Sequence, residues 1–481
     1  MTAALTEKKP GLRDELISLL GTDQVMESAL ERHLYAKDSG VYTGNPTLVV
    51  MIHNAEEVAA VVKAARRHDV PVVARGAGTG LSAGAVPEVG GVVLVTTRMN
   101  SIEHIDAENR TAWVGPGVIN LDLSNVTIPY GLHFAPDPSS QSACTVGGNI
   151  ACNSGGPHCL SEGSTVNHVL ALEVVTDEGA IVTVGGPAPD PIGLDLRGIL
   201  VGSEGTLGIV TRALVKLTPN APDVRTLAVA FPTIEDAAAT VSGIIAAGLI
   251  PAALEMMDQL MMQVIENWLH AGLPIHAGAL LLAEVTGVTE AVDAEAQIIS
   301  RIAEEHNALS VQVAVSSEER AVLWKSRKSA FGAVAQAAPD YYLHDTVVPR
   351  TSLVEAMRQV YEIGKRYEIT MMNVFHAGDG NLHPLMAFDA SVPGELDKVK
   401  AAADELVQIC VEQGGVLSGE HGIGIEKRHL MPLLFSDVDL DAQARVKEVF
   451  DAEGVFNPGK ILPEGSRCFD FGRPVPEGVW V

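Results

Sequence analysis

Residues 136–156 read PDPSSQSACTVGGNIACNSGG. Asp137 is the one charge, and hardly any side chain exceeds Ile150 in size. Gly147, Gly148, Gly155 and Gly156 allow the backbone to approach a ligand closely. Pro136 and Asp137 open the stretch; Ser140, Ser142, Thr145, Asn149 and Asn153 supply short polar groups, and backbone amides supply further donors. This chemistry suits a long, flat, phosphate-bearing ligand that is wrapped rather than pinned. A polar surface loop has a similar composition, but the stretch is long for a structureless loop in a compact domain.

The stretch has a partner upstream. Strand-like apolar residues at 47–51, a helical face of Val58, Val61, Val62 and Ala65, and a second strand at 72–74 form a βαβ pattern. A glycine turn follows at once: Arg75, Gly76, Ala77, Gly78, Thr79, Gly80, Leu81, Ser82, Ala83, Gly84. The spacing is not the Rossmann fingerprint, because Leu81 stands where the third glycine belongs and the next segment, 91–96, reads as a strand. A glycine-rich hairpin loop is the competing reading. Downstream, 170–176 and 181–184 read as a hairpin. Residues 202–211, GSEGTLGIVT, form another glycine turn that runs into a strand. A helix is expected over 11–35.

Pro219 to Pro222 mark a domain boundary. Beyond it, strands at 227–231, 253–257, 280–285 and 311–315 alternate with helices at 235–246 and 290–305, which predicts an antiparallel sheet with helices on one face. A helix at 318–336, another at 351–366 and strands at 370–375 and 384–387 continue the pattern. The fold class is therefore α+β. The expected divisions are an N-terminal helical segment (1–40), a ligand-wrapping domain (41–219), a C-terminal domain (220–465) and a tail (466–481).

A chain of 481 residues has ample core for two or three domains. With 33 Lys and Arg against 60 Asp and Glu, the net charge of −27 argues against nucleic-acid binding. No leader sequence is read at the N-terminus. The longest uncharged run, between Asp236 and Glu255, is broken by glycine and proline and is not a membrane span. Cys144, Cys152, Cys159, Cys410 and Cys468 form no C-x-x-C pair. They read as buried small residues, and no four-cysteine cluster site is available. The expectation is a cytoplasmic protein, peripheral at the inner membrane only through a partner.

The most specific chemistry lies in Phe375–Pro384 (FHAGDGNLHP) and Gly419–Gly424 (GEHGIG). His376 and His383 stand seven apart, and Gly378 and Gly380 let the loop fold back so that both rings face one point. Glu420 would add a carboxylate, completing a two-histidine, one-carboxylate set suited to a divalent metal. Packed core histidines are the alternative. In extended chain His421 would point away from Glu420, toward a substrate as base; otherwise it is a surface imidazole. Arg327 is either a bidentate carboxylate clamp or a solvated helix charge. His344 and Asp345 lie either on a cleft wall or on a solvent face.

Taken together, these motifs resemble the FAD-linked oxidases of the vanillyl-alcohol-oxidase type, with a PCMH-type FAD domain. Within that group they are most similar to glycolate oxidase flavin subunits and bacterial D-lactate dehydrogenases. The resemblance runs from about Thr47 to Pro463 and also includes 339–350 (PDYYLHDTVVPR) and 456–460 (FNPGK). It implies a two-part FAD-binding domain and a C-terminal substrate domain capping the isoalloxazine. Arg75–Gly80, Ser82, Pro136–Gly156, Glu204, Gly205, Gly208, Ile209, Val210 and Asn457 would hold non-covalent FAD. His376, His383 and Glu420 would hold zinc or manganese. His421 would be the base, with Arg327 and Asn381 on the substrate carboxylate.

The implied reaction is oxidation of a 2-hydroxy monocarboxylate, glycolate or D-lactate, to the 2-oxo acid. Relatives acting on D-2-hydroxyglutarate carry a lysine and a threonine for the second carboxylate. Here Leu343 stands for the lysine, and Ala330 and Phe331 for the threonine. The alternatives are a longer D-2-hydroxy acid, a non-redox flavoenzyme of the alkyl-dihydroxyacetone-phosphate synthase kind, or a non-catalytic flavin-binding subunit. The implied electron acceptor is a quinone, a cytochrome, an electron-transfer flavoprotein or an iron–sulfur subunit, and the assembly is a homodimer or a hetero-complex.

Overall fold

In the computed structural model, residues 10–188, 193–314 and 316–463 are described. They form two compact units that interleave along the chain. The first contains the described residues through Ser154, then Ser164–Pro219, then those from Glu420 onward. The second contains Gly155–Gly163 and Asn220–Gly419. The expected C-terminal block, 220–465, is thus divided at Glu420, and a short piece of the glycine-rich stretch goes to the second unit. The 466–481 tail lies outside the described residues.

Among the described residues the first unit has two larger sheets and a two-stranded pair, Leu132–His133 with Thr218–Pro219. In one, β1 (Leu48–Met51), β2 (Val72–Arg75) and β3 (Val92–Val95) run parallel in the order β1-β3-β2, and the helix Ala55–Arg67 (α1) connects β1 to β2. All of LVVM and VVLV is buried, as expected of parallel strands covered on both faces. Val58, Val61, Val62 and Ala65 of α1 are buried, as the helical spacing predicts. The second sheet is antiparallel, in the order β4-β5-β8-β6-β7. Its strands are β4 (Ile102–Asp106), β5 (Thr111–Val114), β6 (Val169–Val175), β7 (Ile181–Gly185) and β8 (Ile209–Lys216).

The C-terminal return is fastened to β2. The Val72 amide donates to Val455 O (2.7 Å), and the Asn457 amide donates to Val72 O (2.9 Å). Phe456 is fully buried in the same core. This backbone pairing is the physical reason that residues far along the chain belong to the first unit.

Two local expectations need correction. The helix expected over 11–35 stops at Leu20, because Gly21 takes φ +90°, and a new helix begins at Ala29 behind a Ser28–Glu31 capping box. The helix expected over 318–336 is two helices, Ser317–Lys328 and Ala330–Ala337, interrupted at Ser329. The 136–156 stretch also contains a short helix, Val146–Cys152 (α2). Thr145 caps its start and Asn153 ends it in the left-handed region.

The second unit is built on a large antiparallel sheet, in the order β12-β9-β11-β10-β15-β16-β14. Its strands are β9 (Asp223–Phe231), β10 (Ala253–Asp258), β11 (Ala279–Gly287), β12 (Ser310–Val313), β13 (Asp340–Leu343), β14 (Thr346–Val347), β15 (Thr370–His376), β16 (Asn381–Leu382) and β17 (Pro384–Phe388). β17 joins β13 to β15. Every residue of β10 is buried, Glu255 included. A charge in that position requires partners. The helix Ser317–Lys328 is hereafter α3. Among the described residues no helix is long and apolar enough to cross a membrane.

Candidate active site

The sheet register of the second unit brings the chemistry together. Glu255 on β10 lies opposite His376 on β15, and His376 lies opposite Asn381 on β16. Gly380 takes φ +75° in the turn between β15 and β16, and a Cβ there would strike Val348 O, so the tight reversal needs glycine. The reversal returns His383 to His376, with ring centroids 5.0 Å apart and planes at 87°.

Asp345 fixes the other side. It is fully buried and accepts from the Ser418 hydroxyl and from the Gly419 amide (3.1 and 3.0 Å). With its amide nitrogen turned to the available acceptors, Asn381 donates to Asp345 Oδ1 (2.7 Å) and Thr346 O (3.1 Å). Gly419 is packed so closely on Asn381 that no side chain would fit. This clamp sets the start of Glu420, the next residue along the chain. Ligand atoms of His376, His383 and Glu420 lie within 4.8 Å of one another.

Glu255 ties this cluster to Arg327. One carboxylate oxygen meets His376 Nδ1 at 2.6 Å and the other accepts from Arg327 Nε at 2.6 Å. Burial alone would raise the Glu255 carboxyl, but the charges of Arg327 and His376 prevail and hold it below the usual carboxylate value. The Glu255 contact at Nδ1 orients the His376 ring, as a carboxylate does for a histidine in a carboxylate–histidine–metal arrangement. Arg327 is 0% exposed, yet its Nη1 and Nη2 have no hydrogen-bond partner among the described residues.

The glycine turns converge in the first unit. Gly76 abuts Thr145 so closely that a Cβ would collide with its hydroxyl, which caps α2 by accepting from the Gly148 amide (3.3 Å). The Gly147 amide donates to Pro116 O (2.8 Å), and the Glu204 amide to Ala151 O (2.8 Å). One Glu204 carboxylate oxygen accepts from the amides of Ile423 (2.7 Å) and Gly424 (3.1 Å). Burial raises the Glu204 carboxyl to about 7. Asn457 Nδ2 donates to Gly84 O and Glu204 O, each at 2.7 Å. Five motifs far apart in sequence, 75–84, 136–156, 202–211, 419–424 and 456–460, therefore share one backbone cradle.

Two domain families match the chain: the FAD binding domain over residues 46–185, and the C-terminal domain of FAD linked oxidases over residues 221–461. Glycolate oxidase subunit GlcD of Escherichia coli (strain K12) is 43% identical over 470 residues, covering 98% of this chain and 92% of the relative. The chain belongs to the FAD-linked oxidases. GlcD of Bacillus subtilis (strain 168) is 40% identical, covering 95% of this chain and 97% of its own. A D-lactate dehydrogenase of Archaeoglobus fulgidus is 36% identical, covering 86% and 91%. In fold, the chain is similar to p-cresol methylhydroxylase with substrate bound, with TM-score 0.81 at 17% identity, covering 94% of this chain and 96% of that one. The oxidase is thus a vanillyl-alcohol-oxidase-type flavin fold joined to a domain with a large antiparallel sheet.

The oxidase's cradle fits FAD on its own chemistry. Asp38 Oδ2, Glu204 Oε2, Asn457 Oδ1 and Lys460 Nζ are buried in the first unit without hydrogen-bond partners among the described residues. A buried mixture of acceptors and a cation is costly unless a ligand with donors and acceptors meets it. Burial holds Asp38 up at about 6 and Lys460 down at about 8.

Several expected flavin residues are already engaged by the fold. Arg75 Nη1 donates to Lys37 O (2.8 Å), Asn149 Oδ1 accepts from Asn120 Nδ2 (3.0 Å), and Asn153 Oδ1 accepts from the Val166 amide (2.8 Å). Ser82 donates to His421 O (2.8 Å). Pro136 O accepts from Asn120 Nδ2 (2.9 Å), and Asp137 is buried. Gly205 takes φ +68°, and Ile209 and Val210 pair with Val175 and Val174. Gly155 falls in the second unit.

One geometric expectation fails: Glu420 and His421 do not point apart. Their side chains approach to 3.7 Å (Oε1 to Nε2), because the chain bends through Gly419–His421 instead of running extended. His344 and Asp345 are buried, which excludes the solvent-face reading. Sequence reasoning missed Glu255, whose signal was a lone charge inside the apolar run ALEMM.

Proposed function

We propose that this FAD-linked oxidase oxidises a 2-hydroxy monocarboxylic acid, glycolate or D-lactate, to the corresponding 2-oxo acid. The observation that carries this reading is Arg327. Two buried guanidinium nitrogens without hydrogen-bond partners among the described residues lie on the group that, through Glu255, also holds the metal-ligating candidate His376. A carboxylate matches that fork geometrically and electrostatically, and a hydroxyl one carbon away would fall toward the His376, His383 and Glu420 side.

In this reading Arg327 binds and orients the substrate carboxylate, aided by Asn381. His376, His383 and Glu420 hold a divalent metal, zinc or manganese. When bound, FAD would supply the acceptor for the Cα hydrogen with its two electrons, as a hydride, and the metal would lower the pKa of the hydroxyl. His421 takes the hydroxyl proton, and its neighbour Glu420 stabilises the imidazolium that results. Asp345 and Glu255 keep the pieces in register. Leu343 is buried opposite Leu385 on the neighbouring strand, which favours a monocarboxylate over D-2-hydroxyglutarate. The relatives named as glycolate oxidase subunits favour a hetero-complex that passes electrons to an iron–sulfur subunit, quinone, cytochrome or electron-transfer flavoprotein.

The test is anaerobic titration of the FAD-loaded protein with glycolate, D-lactate, L-lactate and D-2-hydroxyglutarate. Flavin bleaching by glycolate or D-lactate, abolished by a chelator, is the expected result. Bleaching by D-2-hydroxyglutarate alone overturns the substrate class, and bleaching by none overturns the dehydrogenase reading.

A further inference from the structure

Glu284 on β11 is a second buried carboxylate, 1% exposed, that none of the chemistry above uses. Its ring of donors is complete. Arg320 donates through Nε (2.8 Å) and Nη2 (2.7 Å), Trp324 through its indole nitrogen (2.6 Å) and Thr226 through its hydroxyl (2.6 Å). His158 Nε2 lies at 3.3 Å. The His158 ring also stacks on Trp324, with centroids 5.5 Å apart.

Two of these donors and Arg327 are carried by one helix. Arg320, Trp324 and Arg327 stand at i, i+4 and i+7 on α3, the spacing of a single helical face. The two carboxylates that receive them share one face of the sheet. Glu284 pairs with Ala253 and Leu282 pairs with Glu255, so Glu284 and Glu255 are two residues apart along the β10–β11 ladder. α3 is thus gripped at two points roughly 10 Å apart along its axis.

Among the residues of α3, only Trp324, Ser326 and Arg327 are buried, and Val322 is 46% exposed. An apolar face would tolerate sliding, whereas directional bonds to a fixed carboxylate define rotation and height. The upper grip is saturated. The lower one leaves two Arg327 nitrogens open.

We infer that Glu284 is a positioning residue for substrate recognition: with Arg320 and Trp324 it sets the rotation and height of α3, and so aims the open fork of Arg327. This rests on the reading of Arg327 as the carboxylate clamp.

The test is steady-state kinetics of Trp324→Phe and Glu284→Gln, each made in the wild-type and Arg327→Met backgrounds, with FAD content and thermal midpoint measured alongside. Trp324→Phe keeps an aromatic ring beside His158 while removing the indole N–H with the pyrrole half of the ring, so it carries the test if Glu284→Gln fails to fold. The expected result, with whichever of glycolate and D-lactate bleaches the flavin, is a KM about ten-fold higher at nearly unchanged kcat and FAD content. No further rise is expected in the Arg327→Met background. An unchanged KM, or an equal rise in both backgrounds, overturns the inference alone. An Arg327→Met protein with wild-type KM overturns the clamp, and the inference with it.

Discussion

Replacing Glu255 by glutamine removes the charge that Arg327 and His376 share. Glu255 is fully buried and its two oxygens bond at 2.6 Å to Arg327 and to His376. Arg327 cannot shed its proton, so the substitution leaves a buried guanidinium with no counter-charge. Breaking a buried pair from one side costs about 3–5 kcal/mol. The amide retains some hydrogen bonding, so the lower end, roughly 3 kcal/mol, is expected for Glu255→Gln. His376 also loses the acceptor that fixes its ring and raises its basicity, which typically weakens metal affinity about 10- to 100-fold. Metal affinity is measured by competition with a chromophoric chelator, and stability by the thermal midpoint. Glu355→Gln, which breaks an exposed pair with Arg358, is the control and is expected to leave both unchanged. A Glu255→Gln protein with wild-type metal affinity and midpoint would refute the reasoning, since the carboxylate would then be holding neither partner.

Two further outcomes are expected in the first unit. Gly76→Ala forces a methyl into the Thr145 hydroxyl, so the protein should fold but retain less FAD, read from the ratio of flavin to protein absorbance after gel filtration. In the FAD-free protein, Glu204 has its folded pKa raised to about 7 from 4.5. The folded state therefore holds this proton more tightly, so the group's contribution to stability is complete below about pH 4.5 and is lost as pH rises through 7. The loss is at most about 3 kcal/mol. Glu204→Gln should accordingly raise the thermal midpoint relative to wild type at pH 8 and not at pH 4.5; an equal difference at both values counts against the shifted carboxyl.

Local pattern was enough for much of the fold. The apolar runs at 48–51 and 92–95, the one-sided helix at 55–67 and the strands beyond Pro219 stand where side-chain periodicity puts them, because burial of a face is encoded in nearest-neighbour spacing. The FHAGDGNLHP loop was equally legible, since its glycines and histidines lie within ten residues. Tertiary structure alone decided that the chain from Glu420 returns to the first unit, through backbone pairing of Val455–Asn457 with β2 that no side-chain pattern announces. It also gave roles to Glu255, Glu284 and Asp345. A lone acid in an apolar strand announces a cost in the sequence, but which cation or amide repays it depends on the register between strands distant in the chain.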